Sequence, residues 1–365
     1  MNVSVARKTL AEALHSVSRG VSGRSTLPIL SNVLLEAQGS ELRLLASDLE
    51  MWIEQRVPVK VLEEGAITVP ARVLGELVDR FGEGDVTMQT SDEAMLAVAW
   101  SKSSYQIQAL PAEEFPAPPR VTNGTKVTLS QASLKEVLRS TIFAASQDET
   151  RAVLTGGLLI WEAGELSIIA TDMHRLAINK TKADGKGEAI RAVVPARALH
   201  EVARALAGEE QAEISAGEAQ IRFDIGALAV ISRLVEGQFP NYERVVPQSS
   251  EQRLVVNREE FHTAIRRAAV MARLEANKVV LRGKEGTLSI QAETADLGRG
   301  SEELPVELEG GEVEVAFNAE YLMDALSVMD CESVELGLTG ALSPGLLRPV
   351  GDTPFIYVVM PMAIL

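Results

Sequence analysis

The chain has 365 residues, 46% of them hydrophobic and 24% charged, with a formal net charge of -16. That length exceeds what one hydrophobic core normally holds, so two or three domains are expected. The acidic balance excludes a surface that grips nucleic acid throughout by neutralising phosphates, and no apolar run reaches the roughly 18 residues that a helical membrane span needs.

The N-terminal stretch from Ala6 to Ser18 has helical apolar spacing, with Arg7 and Lys8 at its start where a cleavable signal would be apolar. Next come the strand-like LPILSNVLLEA and LRLLASDLEMWIEQ, a VPAR entry (Val69 to Arg72) into a second helix ending near Phe81, and the alternating MLAVAW and YQIQAL, closing at LPAEEFP. The same order then returns. SQASLKEVLRSTIFAA reads as helix, GGLLIW and LSIIATDMHRLAI as strands, VPAR recurs at Val194 to Arg197, and the unit closes on RLVEGQFP. Proline in the first helical turn loses no hydrogen bond and brings its φ already set, which explains the paired VPAR entries. A third, more divergent copy holds EEFHTAIRRAAVMA behind the cap pair Asn257 and Glu260, the strand TLSIQAE, the helix FNAEYLMDALSVM with Asn318 as cap, and a closing strand FIYVVMPM. Linker-like PAEEFPAPPRVTNGT and VVPQSSEQR separate the copies, giving domains 1–120, 121–248 and 249–365.

Chemistry is harder to find. The four histidines, His15, His174, His200 and His262, have no metal-ligand spacing, and no phosphate loop, nucleophile elbow or dinucleotide turn occurs. No catalytic residue, metal or cofactor is expected. Asp48 and Asp172 end equivalent strands of two repeats, which favours a turn role over acid-base work. The stretch Thr171 to Arg175 gathers His, Asp and Arg and remains the one place for an alternative, a small-molecule enzyme. A protein scaffold that never meets DNA is the other alternative. The lone Cys331 permits no internal disulfide and fits a cytoplasmic protein.

Charge is unevenly placed. The six repeat helices sum to +3, leaving -19 on the rest of the chain. Ordinary solvated helix faces would give the same count, but a mildly positive helical surface on an acidic body would also attract a polyanion to one face only.

GRSTLPILSNVLLEA, SDLEM, the two VPAR entries, LPAEEFP, ATDMHRLA, FPNYERVVP, FNAEYL and YVVMPM, in this order from end to end, resemble the bacterial DNA polymerase III beta subunit family, the replicative sliding clamps. The resemblance implies an α+β fold of three similar domains, with helices lining an inner face, antiparallel sheets forming an outer shell, and two chains closing a ring as a homodimer. Geometry agrees. A 120-residue domain is roughly 35 Å across; three in a ring leave a hole of about 5 Å and six about 35 Å, against roughly 20 Å for duplex DNA. The implied function is a processivity factor that slides on duplex DNA, without sequence preference, and tethers the polymerase III alpha subunit, clamp-loader subunits, other polymerases and repair proteins. A ring held by topology needs no tight phosphate contact, which reconciles the task with the acidic balance.

By the same resemblance, Arg24, Arg72, Arg151 and Arg197 face DNA, and Tyr105 and Ile107 meet Val270 and Met271 of the other chain. Arg151 is followed by Ala152 and Val153 where relatives often carry aromatic residues, so no base stacking is expected there. A groove for partner peptides is implied at Leu154, Thr171, His174, Arg175, Leu176, Pro240, Arg244, Val245, Asn318, Tyr321, Leu342, Val358, Val359, Met360, Pro361 and Met362. Two departures stand out: Met173 where glycine is common, and an ending Met-Ala-Ile-Leu in place of a shorter basic one. Both bear on the depth and preference of that groove.

Overall fold

The computed structural model describes residues 1–365 apart from 23–26, 92–93, 122–123, 274–275, 295–297 and 365. They form two compact units: unit 1 holds residues 1–134, 184–188 and 197–234, and unit 2 holds 135–183, 189–196 and 235–365. The middle repeat is therefore shared between them. The cause is sheet pairing across repeats. In unit 1, Leu228–Arg233 of the second repeat lies antiparallel to Met51–Pro58 of the first, within one nine-stranded sheet. In unit 2, Ile356–Val359 of the third repeat pairs with Arg175–Lys182 of the second, within another nine-stranded sheet. A five-stranded sheet completes unit 1 and a four-stranded sheet completes unit 2.

Six α-helices occur among the described residues: α1 (Arg7–Val17), α2 (Ala71–Asp79), α3 (Gln131–Arg139), α4 (Ala196–Ala205), α5 (Arg258–Ala272) and α6 (Ala319–Val328). Each falls within a stretch where helical spacing predicts it. In α5 the buried residues Phe261, Ala264, Ile265, Ala268 and Ala272 recur every three or four positions, so one stripe faces the core and the rest faces solvent. Burying Phe261 and Ile265 contributes about 1.5–3 kcal/mol each. Asn257 caps this helix as its sequence predicts, its Oδ1 accepting from the Glu259 and Glu260 amides at 3.0 and 3.1 Å. Asn318 caps α6 through the Glu320 amide at 2.9 Å. The C-terminal end of α2 is served from elsewhere: Arg7 donates to the Val78 and Asp79 carbonyls at 3.1 and 2.8 Å, where the helix dipole favours a cation.

Three local expectations change. Pro70 stands at the N-cap of α2, not inside its first turn, and ends the edge strand Gly65–Pro70, where a missing N–H costs no ladder bond. The segment LPIL does not start a strand; Pro28–Ser31 is a 3₁₀ turn leading into Asn32–Gln38. The closing strand is shorter than its apolar pattern suggests, ending at Val359, because Pro361 has no amide to continue the ladder.

Unit 1 also contains a buried ionic group. Glu54 is almost fully buried and accepts from Arg43 at 2.9 Å and Arg56 at 3.1 Å. Burial pushes its carboxyl up, but the Arg43 hydrogen bond and the neighbouring cations outweigh this and hold its pKa below the ordinary glutamate value. A depressed pKa gives stability that is present above the unfolded value of about 4.3 and is lost as pH falls through the folded one. Unit 1 is thus expected to lose stability below about pH 4, and Glu54→Gln should flatten that part of a melting-temperature against pH profile. An unchanged profile would remove Glu54 as its cause.

Candidate peptide-binding groove

The groove begins with a turn. In TDMHR the Asp172 side chain accepts from the backbone amides of His174 and Arg175 at 2.9 and 3.0 Å, and the Met173 amide donates to the Thr171 hydroxyl at 3.1 Å. These bonds over-determine the turn and hold Met173 at φ 78, a left-handed conformation that L-residues other than glycine, asparagine and aspartate rarely adopt. Its side chain is left 51% exposed. SDLEM repeats the arrangement: Asp48 accepts from Glu50 and Met51 at 3.0 and 2.8 Å, and Leu49 has φ 77. Both aspartates act as turn residues, as their repeat-equivalent positions predict.

Arg175, next in chain, anchors one wall. Its guanidinium donates to Asp172 at 2.9 Å, to Asp324 of α6 at 2.5 Å and to the Phe143 carbonyl at 3.0 Å, and it lies 4.6 Å from the centroid of the Tyr321 ring. Burial acts against the charge, but the bond to Asp324 and the nearby acidic groups hold its pKa above the ordinary arginine value. Beneath, Tyr357 is fully buried and donates to the Tyr321 carbonyl at 2.8 Å.

Between this turn, the FPNY segment and the last strand lies a cavity of about 150 Å³, lined by Thr171, Met173, Arg175, Leu176, Pro240, Asn241, Tyr242, Val245, Val358 and Met360. Leu176, Val358 and Phe239 form its apolar floor with Leu158, Ile169 and Val193. Half-exposed Met173, Met360 and Val245 stand at its rim. Flexible methionines at an open apolar mouth suit a site that adapts to different short segments. The tail is tied down at two points, since Met360 donates to the His174 carbonyl and Met362 to the Ala316 carbonyl, each at 2.8 Å.

Seven residues expected in the groove line this cavity: Thr171, Arg175, Leu176, Pro240, Val245, Val358 and Met360. Others lie beside or behind it. Val359 is fully buried, Leu154 is buried within Glu149–Thr155, and His174 stacks on Tyr321 with ring centroids 6.5 Å apart. Asn318 serves as the α6 cap, Arg244 sits in a 3₁₀ turn, Leu342 is 82% exposed, and Pro361 and Met362 follow Met360 in the tail, both partly buried. Asn241 and Tyr242 were not among the expected residues, although the FPNYERVVP signature contains them.

The remaining expected residues scatter. Arg24 lies outside the described residues. Arg72 is exposed and paired with Glu76 at 2.7 Å, Arg151 is exposed in the loop before Gly156–Glu162, and Arg197 is half exposed with its charge engaged by Asp48. Tyr105 is exposed beside Phe81, with centroids 5.9 Å apart, whereas Ile107 is only 6% exposed, so Tyr105 presents most of that pair's free surface. Val270 is 49% exposed near the end of α5, and Met271 is partly buried next to it. No cluster of three or more His, Cys, Asp or Glu able to hold a metal ion occurs among the described residues, and no described helix is long and apolar enough to cross a membrane.

The fold is that of a protein built from a repeated α+β unit, with an apolar cavity at the Thr171–Arg175 turn. Models of the DNA polymerase III beta subunit match the chain with its N-terminal domain over residues 1–119, its central domain over 128–241 and its C-terminal domain over 243–363. The beta sliding clamp of a Synechocystis strain is 33% identical, and that of Staphylococcus aureus 31%, each alignment covering 99% of both chains. Among solved structures, the DNA polymerase III beta subunit of Pseudomonas aeruginosa superposes with a TM-score of 0.95 at 33% identity, and the sliding clamp of Bacillus subtilis with 0.96 at 28%, over the whole of both chains. The chain belongs to the DNA polymerase III beta subunit family, the bacterial sliding clamps, which are processivity subunits of the replicase and not enzymes.

Proposed function

We propose that two copies of this chain close head to tail around duplex DNA in the cytoplasm, each contributing domains 1–120, 121–248 and 249–365, and that the groove beside Met173 and Met360 receives short apolar segments of replication and repair proteins. The polymerase III alpha subunit and clamp-loader subunits are the first partners of this kind. The observation that carries the reading is the open apolar cavity at the Thr171–Arg175 turn, whose charged side chain, Arg175, is already bonded within the protein. A small-molecule enzyme would need a free acid, base or nucleophile there; a docking groove needs apolar walls and a rigid frame. On the DNA side, Arg24, Arg72, Arg151 and Arg197 supply weak positive contacts, and topology holds the ring. Tyr105 and Ile107 of one chain meet Val270 and Met271 of the other.

Rings loaded on closed circular duplex are expected to stay bound through gel filtration and to be lost once the circle is cut. Added salt should weaken them with only a shallow slope, because few phosphates are neutralised. Equal retention on linear DNA with free ends would overturn the clamp reading.

A further inference from the structure

Unit 1 repeats the turn, strand register and floor of the groove, with Met51 in place of Arg175 and Ala117 and Pro118 in place of Asn241 and Tyr242. The turn Ser47-Asp48-Leu49-Glu50 corresponds to Thr171-Asp172-Met173-His174, with φ of 77 and 78 at its third position. The strand that follows pairs with a closing strand in the same register: Trp52 opposite Ile231, Leu176 opposite Val358. The Arg233 amide donates to the Glu50 carbonyl at 2.9 Å, as the Met360 amide donates to that of His174 at 2.8 Å. Beneath Trp52 lie Leu34, Leu45, Phe115 and Ile231; beneath the groove lie Leu158, Ile169, Phe239 and Val358 in the corresponding places. The frameworks agree, and the fillings differ.

Where the groove has Leu176, unit 1 has Trp52, 3% exposed, whose indole N–H donates to the Pro116 carbonyl at 3.1 Å. Pro116 is the counterpart of Pro240, a lining residue of the groove. The indole therefore spans from the strand to the opposite wall, through the position where unit 2 keeps its cavity. An indole is far larger than a leucine side chain, and its buried N–H has found its partner, so the plug is stable. At the rim, Arg233 stands in place of Met360, both exposed.

We infer that unit 1 carries a second copy of the apolar peptide groove, held shut by Trp52, and that this one side chain, with Arg233 at the rim, limits the chain to a single peptide site. The inference rests on the groove reading above. Its ligand class is the same, a short segment presenting consecutive apolar side chains.

The test is binding stoichiometry. A fluorescein-labelled hexapeptide ending in Leu-Leu is titrated into the full chain, with its molar ratio read by calorimetry and its affinity by fluorescence anisotropy. The wild type is expected to bind one peptide per chain, and the double variant Trp52→Leu, Arg233→Met, which removes the plug and gives the rim its methionine, two. Trp52→Phe, a smaller change that keeps an aromatic ring but removes the bond to Pro116, covers the case in which the double variant does not fold; its second site is expected at least tenfold weaker than the first. One peptide per chain in the variant or variants that retain the wild-type circular dichroism spectrum would overturn the inference while leaving the groove reading intact. No binding to the wild type would overturn the groove reading, and this inference with it.

Discussion

Replacing Val270 and Met271 together with glutamate is expected to turn the dimer into folded monomers. Val270 is 49% exposed on α5, so its surface in the isolated chain is free to be covered by a second copy. Met271 lies closer to the core and within 3.5 Å of the place where a side chain at Gly300 would begin. Two carboxylates brought into an apolar contact lose their hydration with no partner to replace it, and the effective penalty is several kcal/mol per ion. At about 1.4 kcal/mol per factor of ten, that raises the dissociation constant by several orders of magnitude. Sedimentation velocity would then give the mass of one chain. Val270→Glu alone, at the more exposed position, separates loss of the interface from damage to the fold. A dimer of unchanged stability in both variants would remove this surface from the interface.

Arg175→Ala is expected to be the most damaging single substitution in the groove. Its side chain is 11% exposed and makes hydrogen bonds to two carboxylates and a carbonyl, while stacking over Tyr321. Removing it leaves Asp172 largely buried without its cation and the Phe143 carbonyl without its donor. Breaking a buried pair from one side costs about 3–5 kcal/mol, which for a unit of this size lowers the melting temperature by about 10 °C. Peptide affinity should fall as well, because Arg175 holds the turn that carries Met173 against α6. Arg175→Lys retains a charge but cannot make the planar fork, so it should recover only part of the loss. A melting temperature within about 2 °C of wild type, a loss of about 1 kcal/mol or less, would show that the network contributes little beyond its desolvation cost.

Much of this molecule is legible along the chain. The order of helices and strands recurs three times, and such periodicity reports which face of each local segment is apolar. Asn257 and Asn318 announce their helices because an N-cap is satisfied within three residues. Asp48 and Asp172 mark turns for the same reason: the amides they accept from are two and three positions ahead. The signatures that carry the family resemblance are also local, which is why the sliding-clamp family is legible in the sequence.

Pairing over long distances was decided by the tertiary structure. No local pattern says that Leu228–Arg233 lies beside Met51–Pro58, or that Ile356–Val359 lies beside Arg175–Lys182, and these two contacts divide the middle repeat between units. Apolar character likewise does not say whether a residue forms a floor or a rim. Val359, expected in the groove, is fully buried, whereas Asn241 and Tyr242 line the cavity because the FPNY segment folds over its wall. The charge of Arg197 is taken up by Asp48, 149 positions away in sequence. Trp52 and Leu176 stand at the same place in two matching repeats, yet only the packed core shows that one fills a space the other leaves open, since occupied volume depends on every wall around a side chain and not on its own segment.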